Sequence, residues 1–315
     1  MLIESYKKNN DMNKLKKAFY LFFKSPLKFI EACMRHMPWL VSDKCYVMLQ
    51  YKVALGYFPD LENPKTFTEK LQWLKLYDHN PLYTRIVDKV TAKEYIKEIL
   101  GEEYIIPTLH VWDNADDIDI DQLPDRFVLK CNHTGGGSVF ICHDKSKFDF
   151  ETAKKKIKKQ LKKNTFLSTR EWPYKNVKRK VFCEQYMEDE SGELRDYKFY
   201  CFNGKPEIML IASNRFTSHN FDYFDMDFKP LGVDSVTGGR AGTSFERPEA
   251  YDEMIAIASK LSQGFPHVRV DLYYTNHHIY FGELTFYDSS GFDDMNSEEW
   301  NNKLGDLIKL PEKRL

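Results

Sequence analysis

Apolar and polar positions alternate most regularly over residues 267–286, HVRVDLYYTNHHIYFGELTF. Two runs of β-formers flank the polar stretch Thr275-Asn276-His277, and the pattern predicts a β-hairpin. With the ladder centred on His277, Asp271 faces Glu283 and Arg269 faces Thr285. All four then share one face, because strand side chains alternate with period two. The same period recurs over residues 195–202, RDYKFYCF. Asn203-Gly204 follows as a strong hairpin turn, and residues 206–212 read as the returning strand. Together with a strand over 181–187 they predict an antiparallel meander from Val181 to Ala212. Further strands are expected at Phe127-Val128-Leu129, at Val139-Phe140-Ile141 and at Ile105-Ile106-Pro107. Val111-Trp112 opens an Asp-rich loop, and residues 221–247 read as loop.

Helical spacing governs the rest. Up to about Pro59 the chain reads as helical and basic, with Lys7, Lys8, Lys14, Lys16, Lys17, Lys24 and Lys28 interleaved with Phe19, Tyr20, Leu21, Phe22, Phe23, Phe29 and Ile30. The expected role is a helix with a solvated lysine face and an aromatic side packed on the main body. Attachment to an anionic membrane surface is the alternative. Thr66 or Thr68 can cap the next helix, with Glu69 at capping-box distance from Thr66, and Pro81 ends it. A single helix is expected over about 82–100, closed by Gly101. Residues 151–163 form a lysine-rich helix with Ile157 and Leu161 as a thin apolar stripe, and a loop is expected over 164–180. Ala250, Met254, Ile257, Ala258 and Leu261 are the buried stripe of a helix over 248–263. Ser297 caps a short terminal helix.

The chain has 315 residues, 42% hydrophobic and 15% aromatic, enough to bury a sizeable core without disulfides. A formal net charge of −1 gives no argument for nucleic acid as a partner. The cysteines Cys33, Cys45, Cys131, Cys142, Cys183 and Cys201 form no CxxC pair and no metal spacing with histidine. They read as reduced thiols of a cytoplasmic protein. No apolar run of about 18 residues predicts a membrane span, and the N-terminus lacks a signal-peptide pattern.

Two stretches carry candidate chemistry. On the hairpin, Asp271 opposite Glu283 would repel unless a divalent cation lay between them, and hard carboxylate oxygens suit Mg²⁺. The other reading is a solvated acidic face. The second stretch is FVLKCNHTGGGSVFIC, residues 127–142. Here Lys130 ends a strand, and Gly135, Gly136, Gly137 and Ser138 can approach an anion closely with their backbone N–H groups. It is not a Walker A loop, since no GK[ST] follows, and a plain flexible turn is the alternative.

Taken in order, NPKTFTEKLQWLKLYD, VDKVTAKEYIKE, FVLKCNHTGGG, FCEQYM, RDYKFYCFNG and VRVDLYY…FGELTFYDSSG resemble the ATP-grasp superfamily. The similarity is greatest to its TupA-like branch, associated with teichuronopeptide and capsular polysaccharide synthesis, and spans roughly Asn63 to Gly291. The resemblance implies an α+β fold in which two subdomains with antiparallel sheets enclose ATP, plus the N-terminal helical segment. The implied division is 1–62, 63–125, a lid-like 126–187 and a metal-bearing 188–315. Lys89 and Lys130 would contact the phosphates, and residues 135–138 would close as a lid. Glu184 would meet the adenine amino group, the backbone from Gln185 to Met187 would read the base edge, and Asp196 would sit near the ribose. Asp271 and Glu283 would hold Mg²⁺, while Lys198 and Arg269 would act in catalysis. Thr285 departs from the asparagine common at that position. The implied reaction is ATP-dependent joining of a carboxylate to an amine through an acyl phosphate. The expected substrate is a uronic acid of a surface polysaccharide or its lipid-linked precursor, with an amino acid or other amine, on the cytoplasmic side of the membrane. A metal-dependent glycosyltransferase of capsule synthesis is the alternative; a binding module without chemistry is a further one.

Overall fold

The computed structural model describes residues 23–134, 139–189, 192, 194–214, 220–234, 239–242 and 244–315. The N-terminal lysines up to Lys17 and the expected glycine lid, Gly135, Gly136, Gly137 and Ser138, lie outside the described residues. Helices α1 (Pro26–His36), α2 (Asp43–Leu55), α3 (Phe67–Tyr77), α4 (Pro81–Val87) and α5 (Thr91–Ile99) come first. Strands β1 (Thr108–Trp112), β2 (Phe127–Cys131) and β3 (Val139–Cys142) follow, then α6 (Phe150–Leu161), α7 (Thr165–Thr169) and β4 (Val181–Gln185). The last third holds β5 (Asp196–Phe202), β6 (Lys205–Ser213), β7 (Asn220–Phe224), α8 (Tyr251–Leu261), β8 (His267–Thr275), β9 (His278–Thr285) and α9 (Glu298–Leu307).

The strands form two sheets, ordered β1-β4-β2-β3 and β7-β6-β5-β8-β9, and every strand pair in them is antiparallel. The fold is therefore α+β. Each sheet has its own core. Phe199, Met209, Val270 and Leu272 are buried on one face of the larger sheet, in the same core as Met254 and Ala258 of α8 and Leu71 of α3. Under the smaller sheet, Phe127, Leu129, Val181 and Cys183 meet Ile157 of α6. Each fully buried side chain of this size contributes about 1.5–3 kcal/mol. The opposite face of the larger sheet carries Asp196, Lys198, Arg269 and Asp271, the residues that build the site.

Several expectations need correction. The helix expected over 82–100 is two helices, parted at Asp88, Lys89 and Val90. The Asp88 carboxylate accepts from Val90 N at 2.9 Å and Lys89 N donates to Asn132 O at 3.1 Å, so a tertiary bond replaces a helical one. The strand expected at 105–107 lies at Thr108–Trp112, in the supposed Asp-rich loop, where it pairs with β4. The meander from 181 is divided, because β4 belongs to the smaller sheet and β5 and β6 to the larger. Within the expected loop after 220, β7 adds an edge strand to β6. Pro81 begins α4 rather than ending α3, with Asn80 as its cap. The capping box at Thr66 and Glu69 is present. Exposed Phe23, Ile30, Trp39 and Leu40 show that α1 and the turn after it do not bury all of their apolar side.

Candidate active site

Between the sheets lies a cleft of about 610 Å³. Its apolar wall is Ile106, Val128, Val139, Ile141 and Leu194; Lys130 and the run Glu184 to Met187 form the polar side. Such an apolar slot with one polar side suits a flat heteroaromatic ring.

Glu184 is buried at the end of β4, 5% exposed. One carboxylate oxygen pairs with Lys93 of α5 and the other with Lys130 of β2, both at 2.5 Å. Burial opposes the charge, but the two ammonium groups outweigh it and hold this carboxyl at about 2. Lys93 also donates to Ile106 O at 2.7 Å and to Thr108 Oγ1 at 2.8 Å, tying α5 to the start of β1. Each Glu184 oxygen is thus paired with a lysine, and the residue anchors both cations.

The second cluster stands on the hairpin. Asp271 does face Glu283, and Arg269 faces Thr285. The route to that register is different from the expected one. The turn is two residues long, Asn276 and His277, both with positive φ (51° and 58°), as a type I′ turn requires. Its register then shifts by one between Asp271 and Leu272, opposite Gly282. A bulge there moves Glu283 back onto the Asp271 face. A Cβ on Gly282 would lie 3.0 Å from Asp271 O and 3.1 Å from the Tyr273 ring, so the close approach needs glycine.

Arg269 grips Asp271 with two hydrogen bonds, Nε to Oδ1 at 2.7 Å and Nη2 to Oδ2 at 2.8 Å. Nη2 also reaches Glu283 Oε1 at 3.4 Å and Thr285 Oγ1 at 3.3 Å. Lys198 on β5, directly across from Asp271, pairs with it and lies 3.3 Å from Asp196. Lys89 pairs with the other Glu283 oxygen. Burial works against the Glu283 charge, yet Lys89, Lys198 and Arg269 keep its pKa well below the usual carboxylate range.

Lys130, Glu184, Gln185 and Met187 therefore line the cleft, while Lys89, Asp196, Lys198, Arg269, Asp271 and Glu283 form a second cluster of mutually paired charges around the hairpin. Sequence reasoning missed four groups. Lys93 follows Lys89 by one helical turn, a weak signal in VDKVTAK. Asp288 pairs with Arg269 Nη1 and accepts from Tyr200 at 2.6 Å. It lies past the end of β9, where strand periodicity no longer applies. Lys75 and Glu171 are buried nearby. The Lys75 ammonium donates to Ser290 O at 2.6 Å and Thr169 O at 3.3 Å, and Glu171 accepts from the Ser290 hydroxyl. Together they hold the consecutive left-handed residues Ser289 and Ser290 (φ 48° and 56°). Burial pushes Lys75 down to about 8 and Glu171 upward.

The donor chemistry around Asp271 and Glu283 fits a hard divalent cation. It comprises carboxylate oxygens and the Thr285 hydroxyl, with no thiolate or imidazole. The surrounding cations Lys89, Lys198 and Arg269 are matched by four carboxylates, those of Asp196, Asp271, Glu283 and Asp288. No group of three or more metal-binding side chains occurs among the described residues. Mg²⁺ commonly needs only one or two protein carboxylates.

A family model described as TupA-like ATPgrasp matches residues 69–309. A search of curated proteins gives no match. Among solved structures the chain is similar to a D-alanine–D-alanine ligase from Bacillus anthracis (18% identity, 64% of this chain and 57% of that one, TM-score 0.35). It is also similar to the D-cycloserine synthetase DcsG (16%, 72% and 70%, TM-score 0.41). A third is a phosphoribosylamine–glycine ligase from Thermotoga maritima (16%, 65% and 48%, TM-score 0.37). The chain thus spans little more than half of the first of these relatives.

Proposed function

Because the chain belongs to the TupA-like ATP-grasp family, we propose that its cleft activates a carboxylate with ATP and joins it to an amine. The observation that carries this reading is the convergence of Lys89, Lys198 and Arg269 on Asp271 and Glu283. In the proposed reaction a carboxylate oxygen attacks the γ-phosphorus and the bond to the β-phosphate oxygen breaks, releasing ADP. The amine nitrogen then attacks the acyl carbon, phosphate leaves, and the nitrogen loses a proton. The protein's part is positioning and charge stabilisation. The adenine lies in the slot with its edge against the backbone of 185–187. Lys130, steadied by Glu184 together with Lys93, is the ammonium nearest the base and serves the phosphates. Lys89 and Lys198 exchange carboxylate for phosphate oxygens, and Arg269 offsets the charge that grows on the transferred group. Asp271 and Glu283 would hold Mg²⁺, which when bound supplies further neutralisation of phosphate charge.

The proposed carboxylate is a uronic acid of a surface polysaccharide or its lipid-linked precursor, and the amine an amino acid or similar compound. No helix among the described residues is long and apolar enough to cross a membrane. Exposed Phe23, Ile30, Trp39 and Leu40 near Lys24 and Lys28 support peripheral contact with an acidic membrane surface. Sedimentation with anionic but not neutral vesicles tests that contact. A sugar-nucleotide transferase reading gains nothing from a fold whose sheet pairs are all antiparallel.

The decisive assay screens uronic acid and amine pairs for phosphate and ADP release with MgATP. Glu283→Ala and Asp271→Asn should each abolish turnover with the far-ultraviolet circular dichroism unchanged. Wild-type-like turnover in either variant would remove the metal assignment.

A further inference from the structure

A separate cavity of about 320 Å³ opens between the end of α6 and the segment after α7. Lys163, Lys175 and Arg179 line it, with His133, Thr165 and Tyr174. Its walls are built rather than draped. The Asn132 side chain, fully buried, donates to Lys178 O at 2.8 Å and accepts from Lys180 N at 2.7 Å. The Thr165 hydroxyl donates to His133 O at 2.9 Å, and Arg179 Nη1 to Lys163 O at 3.4 Å.

The charge pattern distinguishes this cavity from the cleft. Lys89, Lys93, Lys130 and Lys198 each have a carboxylate partner. Lys163, Lys175 and Arg179 have no carboxylate at ion-pair distance among the described residues. Three like charges around one hollow repel, and an anion entering it would convert that repulsion into attraction. Tyr174 connects the two places. It lines this cavity, while burial and the charges of Glu171 and Glu283 raise its phenol well above the ordinary value. The Tyr174 ring thus lines the cavity within electrostatic reach of Glu283.

We infer that this cavity is a subsite for a second anionic group of the acceptor, a carboxylate or phosphate distant from the carboxylate that reacts. The assignment to the acceptor rests on the ligase reading above; the anion binding does not. A saccharide chain bearing repeated acidic groups would place one at the reacting centre and a neighbour here. The guanidinium of Arg179 and the ammonium groups of Lys163 and Lys175 would take its oxygens in charge-assisted hydrogen bonds.

The test is calorimetry at low ionic strength without nucleotide, using glucuronate, glucose 1-phosphate and glucose as probes. Wild type should bind at least one charged sugar and not glucose, and whichever binds identifies the source of the anion. Lys175→Ala/Arg179→Ala should lose at least about tenfold in that affinity. Both side chains are exposed, so its unfolding midpoint should match wild type. Absence of binding by both charged sugars, equal binding of glucose, or an unchanged affinity in the double variant would overturn the subsite. MgATP binding is measured separately. Anion binding without MgATP binding would remove the ligase reading and leave the subsite, and the reverse result would do the opposite.

Discussion

Glu184→Gln removes one charge and leaves two ammonium groups, Lys93 and Lys130, facing a neutral amide. In the wild type the carboxyl sits at about 2 against an ordinary value of 4.5, despite 5% exposure. At neutral pH that difference corresponds to about 3 kcal/mol favouring the folded state. It agrees with the ~3–5 kcal/mol lost when one partner of a buried pair is deleted. The sign follows from linkage. The folded carboxyl has the lower pKa, so its contribution is complete above about 4.5 and is lost as pH falls toward about 2. Urea unfolding of both proteins from pH 8 downward isolates this group, because the other carboxylates cancel in the difference. The gap should stay near 3 kcal/mol down to pH ~5, then close between ~4.5 and ~2. A gap under about 1 kcal/mol at pH 7, or one that does not change with pH, would refute the claim that Glu184 anchors both lysines.

Lys75→Met tests the other buried cation. The folded ammonium has its pKa near 8, below the 10.5 of the unfolded chain, so between those values the unfolded state holds more protons and stability rises with pH. Wild type should therefore gain about 3 kcal/mol on Lys75→Met from pH 8 to 10.5; a flat difference in urea midpoints would refute it. Gly282→Ala should cost about 1–3 kcal/mol from the forced contact with Asp271 O and the Tyr273 ring. It should also lower turnover by displacing Glu283, and full activity would show that the bulge has no role in the site. Lys130→Ala should weaken MgATP binding by calorimetry, and unchanged affinity would count against its phosphate role.

The elements with strong periodicity were legible: the hairpin, the Asn203-Gly204 turn, the Thr66 capping box and the stripe of α8. What escaped depended on partners distant in sequence. Strand β1 looked like loop because its burial alternates weakly, and it is held as a strand by β4, some seventy residues later. Lys93 meets Glu184, and Asp288 meets Arg269, through contacts that no local spacing encodes.

The hairpin is the more instructive case. The expected pairing of Asp271 with Glu283 is correct because two departures cancel: the turn is one residue shorter than a ladder centred on His277 requires, and the bulge at Gly282 restores the residue. Without the bulge, period two would send Glu283 to the core face with Leu272. The break between α4 and α5 follows the same logic. A continuous helix would satisfy the Lys89 N–H internally, but Asn132 O takes it, and the same Asn132 fixes Lys178 and Lys180 through its side chain. One buried asparagine at the end of β2 thus orients Lys89 toward Glu283 and also holds a wall of the cationic cavity. Local preference is overridden at two points, Asp88 to Val90 and Gly282, where the chain brings Lys89 and Glu283 together, and a strictly local reading of the sequence is weak at just those points.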